Sequence, residues 1–539
     1  AAACVGVAVA LGTLATLPEY GVTSDEPVIY HGGERQWWAM WSDHPDRWDF
    51  RKPPPRDFQT TAPFSLHPDP RDVYRFPGFP GLFSVAVARL ARFVPGYDKV
   101  DAVHAGIAVL HALSVFVMVL YLARLLGVRR AVLVATLYAL FPTAVGHSHY
   151  NVKDWPATGF YALAVLAFGV GAIENRALYM VQAGAWLGLG LASKANPIFA
   201  LPTVVLWSAF AGPVLYRGGR LPSRRTVAAA CLIPWVALAV FYLAWPYLRA
   251  GTLVEQWSKL TETVAFFLRR GVSARDTYTS YPLLLLYAMT PPIELAGLLL
   301  AAILPFRGGT REAAVAALGW VWLAVPMVRM AWPHSNYYDA NRHFLEYIPA
   351  VALLAASGLD LALGRVASGV RARHGGAVAR RVDAGLIAML VALAAWPVVQ
   401  YHPYESTYYN VLVGGLGGAQ SKPLTRGYID KMEYWAVDSE GDYWGFSYRN
   451  AIRDMNRVAE RGTSFHPCGD LLGPLTVFQK VRPDLRQTDR NQADYFIILP
   501  RRPFCSDEDQ RYIRAEAEVV REERRDGGLI YGVYRRRRP

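Results

Sequence analysis

Charge and cysteine are the two things this chain has least of. Only 18% of its 539 residues are charged, well below the roughly one quarter usual for a soluble domain. That deficit argues against an ordinary soluble enzyme of this length. Four cysteines are too few for a disulfide framework, and no CxxC or paired-cysteine spacing announces a thiolate metal site. Cys4 and Cys231 fall in apolar runs and are expected to be packing residues. Cys468 and Cys505 fall in a more polar C-terminal region, and whether they pair depends on that region lying in an oxidising compartment. No internal repeat is visible, which leaves out solenoid architectures.

What the chain has instead is apolar surface: 53% of residues are hydrophobic and 13% aromatic. Apolar runs long enough for a helix to cross a bilayer occur at about 1–17, 101–126, 131–146, 155–173, 177–192, 197–216, 227–246, 281–305, 313–330, 344–363 and 382–399. The reading is a polytopic α-helical membrane protein with about eleven transmembrane helices. The net charge of +13 does not call for nucleic acid, because it sits in short connections. Arg124, Arg129 and Arg130 form one cluster, and Arg217, Arg220, Arg224 and Arg225 a second. Arg307 and Arg311 form a third, and Arg365, Arg371, Arg373, Arg380 and Arg381 a fourth. Counting eleven helices puts all four on one side, and positive short loops mark the cytoplasm.

The N-terminus then lies in the cytoplasm, with 1–17 a retained anchor. Two parts are expected: a membrane module over 1–400, with a long first external loop at 18–100, and an extracytoplasmic α/β domain over 401–539. Segments 26–42, 81–93 and 247–280 read as amphipathic helices lying on the outer membrane surface, the first with Trp37, Trp38 and Trp41 at headgroup level. Between the first two lies proline-rich coil around Pro53, Pro54 and Pro55. In the tail, 448–461 reads as a helix and 494–499 as a buried strand. Strands at 516–520 and 529–534 are placed to pair across Asp526-Gly527-Gly528.

Polar residues gather at the external ends of the helices. Asp25 and Glu26 are adjacent carboxylates close to a membrane crossing, an expensive position that usually carries a task. Capping of the following helix explains them structurally; the functional reading is a general base. His147, His149, Lys153 and Asp154 crowd the junction of two helices, beyond what capping requires. His147-x-His149 is a weak signal for a divalent metal, with a third ligand open among Asp154, Glu26, His334 and His343. Lys194 lies in a third cluster, where snorkelling is the plain alternative. Arg342 and His343 close a fourth, and an arginine forks onto phosphate better than lysine does. Carboxylates beside cations under an apolar roof suit transfer of a group from a lipid phosphate: a carboxylate takes the acceptor proton and cations stabilise the departing phosphate.

These positions resemble the family 39 glycosyltransferases of the C-type membrane fold, which include the dolichyl-phosphate-mannose–protein mannosyltransferases and the lipid A aminoarabinose transferases. The resemblance rests on Asp25-Glu26, on Asn151-Val152-Lys153-Asp154-Trp155-Pro156 and on Ser193-Lys194-Ala195-Asn196-Pro197. It continues through Arg342-His343-Phe344-Leu345, His402-Pro403-Tyr404-Glu405, Tyr408-Tyr409-Asn410 and Asp442-Tyr443-Trp444. It implies an inverting hexosyl or pentosyl transferase using a polyprenyl-phosphate sugar and no nucleotide cofactor. Asp25, Glu26 and Asp154 would lie at the reaction centre, and Lys153, Arg342, Lys194 and His343 on the donor phosphate. The acceptor would be a lipid, glycan or protein. The sequence departs from the mannosyltransferases in having Phe76-Pro77-Gly78-Phe79-Pro80-Gly81 where they carry His-Pro-Pro, and Ala340-Asn341 ahead of Arg342. Its Arg- and Ala-rich composition points to a bacterial inner membrane and an undecaprenyl-type donor. A flippase for lipid-linked sugars is the main alternative, disfavoured because mid-membrane positions are nearly free of charge. A non-enzymatic sensor would leave Asp25, Asp154 and Arg342 unexplained.

Overall fold

The computed structural model describes residues 1–50, 52, 76–216, 221–270, 276–304, 309–336, 338–422, 424, 440–468, 480–501 and 505–537. The proline-rich coil and Arg217, Arg220 and Arg307 lie outside them. The chain is mostly helical, with one small sheet near its C-terminus. Among the described residues, the helices of eight residues or more are α1 (Ala2–Thr16), α2 (Glu26–Trp41), α3 (Phe79–Ala91), α4 (Lys99–Leu126), α5 (Val128–Ala139) and α6 (Pro142–Tyr150). Then follow α7 (Asp154–Glu174), α8 (Ala177–Leu191), α9 (Ala200–Leu215), α10 (Arg224–Cys231), α11 (Ile233–Ala244) and α12 (Leu253–Arg270). Last are α13 (Tyr281–Met289), α14 (Pro292–Ile303), α15 (Gly309–Ala331), α16 (Tyr347–Tyr401), α17 (Tyr448–Val458) and α18 (Asp507–Glu516).

Among the described residues, six helical stretches are long and apolar enough to cross a membrane, or up to nine when three bent pairs are each taken as one span. The membrane reading drawn from composition holds. Several expected straight crossings are broken, and proline is the reason. α5 and α6 meet at 68° before Pro142, α10 and α11 at 45° before Pro234, and α13 and α14 at 115° around Pro291 and Pro292. A proline removes a backbone donor and clashes with the preceding turn, so the helix ends and a new one starts. In α16 the two expected crossings run on as one helix broken only at Gly375, whose φ of 82° lies outside the helical region.

The 26–42 segment is helical as expected, but it is not a surface helix. Glu26, Ile29, Tyr30, Glu34, Arg35 and Gln36 are all buried, and only its end, with Met40 and Trp41, is exposed. Gly33 and Gly81 let α2 and α3 touch backbone to backbone; a Cβ at Gly33 would fall 2.4 Å from the Gly81 carbonyl carbon. Arg35, ahead of its tryptophans, points into the protein and donates to the carbonyls of Lys52 and Asp49. α12 keeps the amphipathic surface character expected of it, with Leu253, Val254, Trp257, Val264 and Leu268 exposed.

The C-terminal sheet comprises β1 (Ser464–Cys468), β2 (Arg486–Gln487), β3 (Tyr495–Ile498), β4 (Ala517–Arg525) and β5 (Gly528–Arg536), in the order β2-β1-β3-β5-β4. β1 runs parallel to β2 and β3, and β5 antiparallel to β3 and β4. The expected hairpin is there, turning where Asp526 and Gly527 both take positive φ. Cys468 and Cys505 are joined in a disulfide that ties the end of β1 to the start of α18. Cys4 and Cys231 are exposed, facing outward rather than packing inside as expected, because the outer faces of apolar helices are themselves apolar. The sheet is not an independent body: Tyr448, Ile452, Phe465 and Tyr495 share one apolar core with the long helices.

Candidate active site

The site forms where the first turn of α2, the α6–α7 junction, the α8–α9 connection and the α15–α16 connection meet at one end of the helices. Local chemistry shapes each piece. The Asn151 side chain accepts a hydrogen bond from the Asp154 backbone N–H at 2.9 Å, folding the junction into a turn that starts α7. Lys153 and Asp154 then project toward different partners. Before Arg342, Asp339 and Ala340 hold φ of 54° and 52°, a conformation that costs non-glycine residues about 1 kcal/mol or more and collects at functional sites.

Arg342 is the hub. Its Nε donates to Asp154 Oδ2 at 2.9 Å, its Nη1 to Asp339 Oδ2 at 2.7 Å, and its Nη2 to Asp25 Oδ2. The guanidinium lies 3.9 Å from the centroid of the Trp444 ring, a cation–π contact strengthened by burial. Lys153 Nζ donates to Asp25 Oδ2 at 2.8 Å and sits over the Phe76 ring. Lys194 Nζ lies 2.8 Å from Asp154 Oδ1. Behind Arg342, Arg501 of the C-terminal region holds the other oxygen of Asp339 at 2.7 Å. Three carboxylates thus face four cations, an excess of one positive charge that suits an anionic ligand.

The carboxylates differ in access. The Asp25 side chain is 32% exposed, whereas Asp154 is 2% and Asp339 6% exposed. Burial pushes the Asp25 carboxyl up, but Arg342 and Lys153 outweigh it and hold it well below the usual carboxylate range. Burial lowers Lys194, with Asp154 opposing. Burial, together with Lys194 and Arg342, keeps the His343 ring neutral. That ring stands edge-on to Tyr338, and its Nε2 has no hydrogen-bond partner among the described residues.

The adjacent pair Asp25-Glu26 splits. Glu26 is fully buried; its Oε1 accepts from the Thr23 N–H at 2.8 Å, and its Oε2 lies 2.6 Å from His104 Nε2. It fastens the loop to α4 and does not reach the opening. Asp25 does not cap α2 through its side chain, so the capping alternative does not account for it. His147 and His149 serve other contacts. His147 bonds Asn151 at 2.6 Å and Tyr443 at 3.2 Å, while His149 bonds Thr16 at 2.8 Å and the Val145 carbonyl at 2.7 Å. Among the described residues no three His, Cys, Asp or Glu side chains gather as metal ligands; Asp25 Oδ2 and both oxygens of Asp154 are held by cations.

Asp154, Lys153 and Lys194 all fall within a stretch that known proteins share. Residues 89–245 match the family model of the dolichyl-phosphate-mannose-protein mannosyltransferases. The resemblance stated from the sequence is borne out over these residues. No curated protein matches the chain. Among solved structures it is similar to ArnT from Cupriavidus metallidurans, in the apo state and bound to undecaprenyl phosphate, in each case at 16% identity with a TM-score of 0.47, covering 99% of this chain and 97% of that one. It is also similar to the oligosaccharyltransferase of Archaeoglobus fulgidus at 14% identity and a TM-score of 0.42, over 76% of this chain and 56% of that one.

Sequence reasoning placed Asp25, Lys153, Asp154, Lys194, Arg342 and His343 together, and the structure does the same. It did not find the roles of Asp339, Trp444 and Arg501. Trp444 stood inside a motif without a task, and Asp339 lay unremarked three residues before Arg342. Arg501 had no local signal at all beyond following a buried strand.

Proposed function

We propose that this chain is an inverting glycosyltransferase of the plasma membrane, moving a sugar from a polyprenyl-phosphate donor to a hydroxyl or phosphate acceptor outside the cytoplasm. The observation that carries the reading is Asp25: a partly exposed carboxylate at the rim of a buried cluster that holds more cations than anions. Residues 1–400 form the membrane module, and 401–539 an external domain that closes the site with Trp444 and Arg501.

The chemistry follows from competition for the cations. In the free protein Lys153 and Arg342 are neutralised by Asp25, which makes that carboxylate a weak base. A donor phosphate entering between them takes over part of both cations, which raises the proton affinity of Asp25. Asp25 then accepts the proton of the acceptor hydroxyl as its oxygen attacks the anomeric carbon from the face opposite the phosphate. The bond between that carbon and the phosphate oxygen breaks, and its electron pair leaves on the lipid phosphate, where Lys153 and Arg342 stabilise the charge. Asp154 and Asp339 hold Arg342 in place, and Lys194 and His343 line the inner side.

The test incubates purified wild type and Asp25→Asn with a panel of radiolabelled polyprenyl-phosphate sugars and follows release of lipid phosphate with membrane extract as acceptor. Turnover is expected to fall by at least about a hundredfold in Asp25→Asn, as for loss of a general base, with donor binding retained. Undiminished turnover would move the base to another residue. Absence of turnover in folded wild type that still binds donor would point to lipid transport.

A further inference from the structure

The opposite ends of the same helices carry a second charged cluster, for which the proposed transfer has no use. α15 spans 23 residues, about 34 Å at 1.5 Å per residue. Its first turn holds Glu312, and its other end leads into the loop of Arg342. Beside Glu312 a cleft of about 630 Å3 opens between the start of α5 and the two halves of α16. The break at Gly375 separates those halves and lets both contribute side chains to it. Five arginines line the cleft, Arg129, Arg130, Arg365, Arg371 and Arg380, with two aspartates, Asp360 and Asp383.

The carboxylates are fully used by two of the five. Arg129 donates to both oxygens of Asp383, at 2.8 and 2.7 Å, and to Asp360 Oδ1 at 2.9 Å. Arg130 takes Asp360 Oδ2 at 2.5 Å and Glu312 at 2.6 Å. Arg365, Arg371 and Arg380 have no carboxylate partner among the described residues; Arg365 makes only a long hydrogen bond to the Leu361 carbonyl. Between them the wall is Gly364, Ala367, Ser368 and Ala379, and a Cβ at Gly364 would meet nothing within 4 Å. The cleft is therefore open, of a size that ligand sites have, and rimmed by unpaired guanidinium groups.

We propose that this cleft binds a phosphate group, carried either by an anionic lipid headgroup or by a soluble phosphate compound. Arginine forks match phosphate oxygens two at a time, and a basic pocket between helices at the end of a membrane crossing is where headgroup phosphates are concentrated. Asp360 and Asp383 do not repel the anion, because Arg129 and Arg130 neutralise them. The inference rests on this cleft alone and stands whether or not the other end transfers a sugar.

The experiment uses the full chain in detergent micelles. Native mass spectrometry counts bound phosphatidylglycerol against phosphatidylcholine, and thermal unfolding is compared in inorganic phosphate and in chloride of equal ionic strength. Wild type retains phosphatidylglycerol in preference to phosphatidylcholine if the phosphate comes from a headgroup, or is stabilised by inorganic phosphate if it is soluble. In R365Q/R371Q/R380Q that retention or stabilisation falls by at least about tenfold in affinity, since each surface arginine contributes about fivefold. The double variant R224Q/R225Q, exposed basic residues on a different helix, keeps wild-type binding. Should the triple variant not fold, R371Q alone, at an exposed position, shows about a fivefold loss. Equal losses in the triple and control variants, or no response of wild type to either probe, would overturn the proposal.

Discussion

Arg342 and Arg129 are built alike and placed at opposite ends of the molecule. Each guanidinium spans more than one aspartate, yet the Arg342 side chain is 5% exposed and that of Arg129 48%. Around Arg342 nearly every charge is answered by another inside the fold, and one carboxylate is left at the rim. Around Arg129 the carboxylates run out and three arginines remain open to solvent. The same residue types therefore yield a closed charge network where water is excluded, and guanidinium groups without carboxylate partners among the described residues where it is not.

The strongest way to break this comparison is to remove each hub. Arg342→Gln leaves Asp25, Asp154 and Asp339 short of a cation, and breaking a buried network of this kind costs about 3–5 kcal/mol. Arg129→Gln is expected to cost under about 1 kcal/mol, as for exposed pairs. Chemical denaturation in micelles reads both, and equal losses would erase the distinction drawn between the two ends.

A smaller effect is expected one shell out. Arg501 holds Asp339 and the Tyr443 carbonyl, so it is a positioning residue. Arg501→Gln should reduce turnover about fivefold, a coupling of about 1 kcal/mol, with partial rescue by Arg501→Lys. A purely structural role would lower stability and leave turnover per folded molecule unchanged.

Two pH profiles sharpen the comparison further. Asp25 is held below its ordinary range, so its stabilising contribution is present above the unfolded value of about 4 and is lost as pH falls through the lower folded value. Melting temperatures of wild type and Asp25→Asn should converge in acid. The smallest effect lies at His402, outside both clusters. A hydrogen bond to Glu405 raises it, burial opposes, and the charges of Glu405 and Glu19 add to the rise. Its contribution is complete below an unfolded value of about 6.5 and is lost as pH rises through the folded one. The melting-temperature gap to His402→Gln should be widest near pH 6 and close in alkali; a gap that widens with pH would contradict the assignment.

Much of this was legible in the chain. Long apolar runs, basic short connections and the Asp526-Gly527-Gly528 turn each carry their structure in local physics: burial of apolar surface, the length of a crossing, and the positive φ that a tight hairpin requires. Asp25, Lys153, Asp154, Lys194 and Arg342 stood out because charge beside an apolar helix is costly unless paired or used. The burial of α2 was not legible, since its tryptophans and charges fit a membrane surface equally well until Gly33 and Gly81 are known to meet. Nor was the division of labour between Asp25 and Glu26, neighbours of the same chemistry whose environments differ only because His104 lies behind one and the opening before the other.

By itself, then, the sequence determined the class of molecule and which charged residues could not be idle, because those follow from composition and short-range spacing. Tertiary structure alone decided which carboxylate reaches the opening, that Arg501 and Trp444 belong to the centre, and that Arg365, Arg371 and Arg380 go unanswered at the far end. Those outcomes depend on distances between residues up to 476 positions apart in the chain, as from Asp25 to Arg501, and charges interact through space rather than along the backbone.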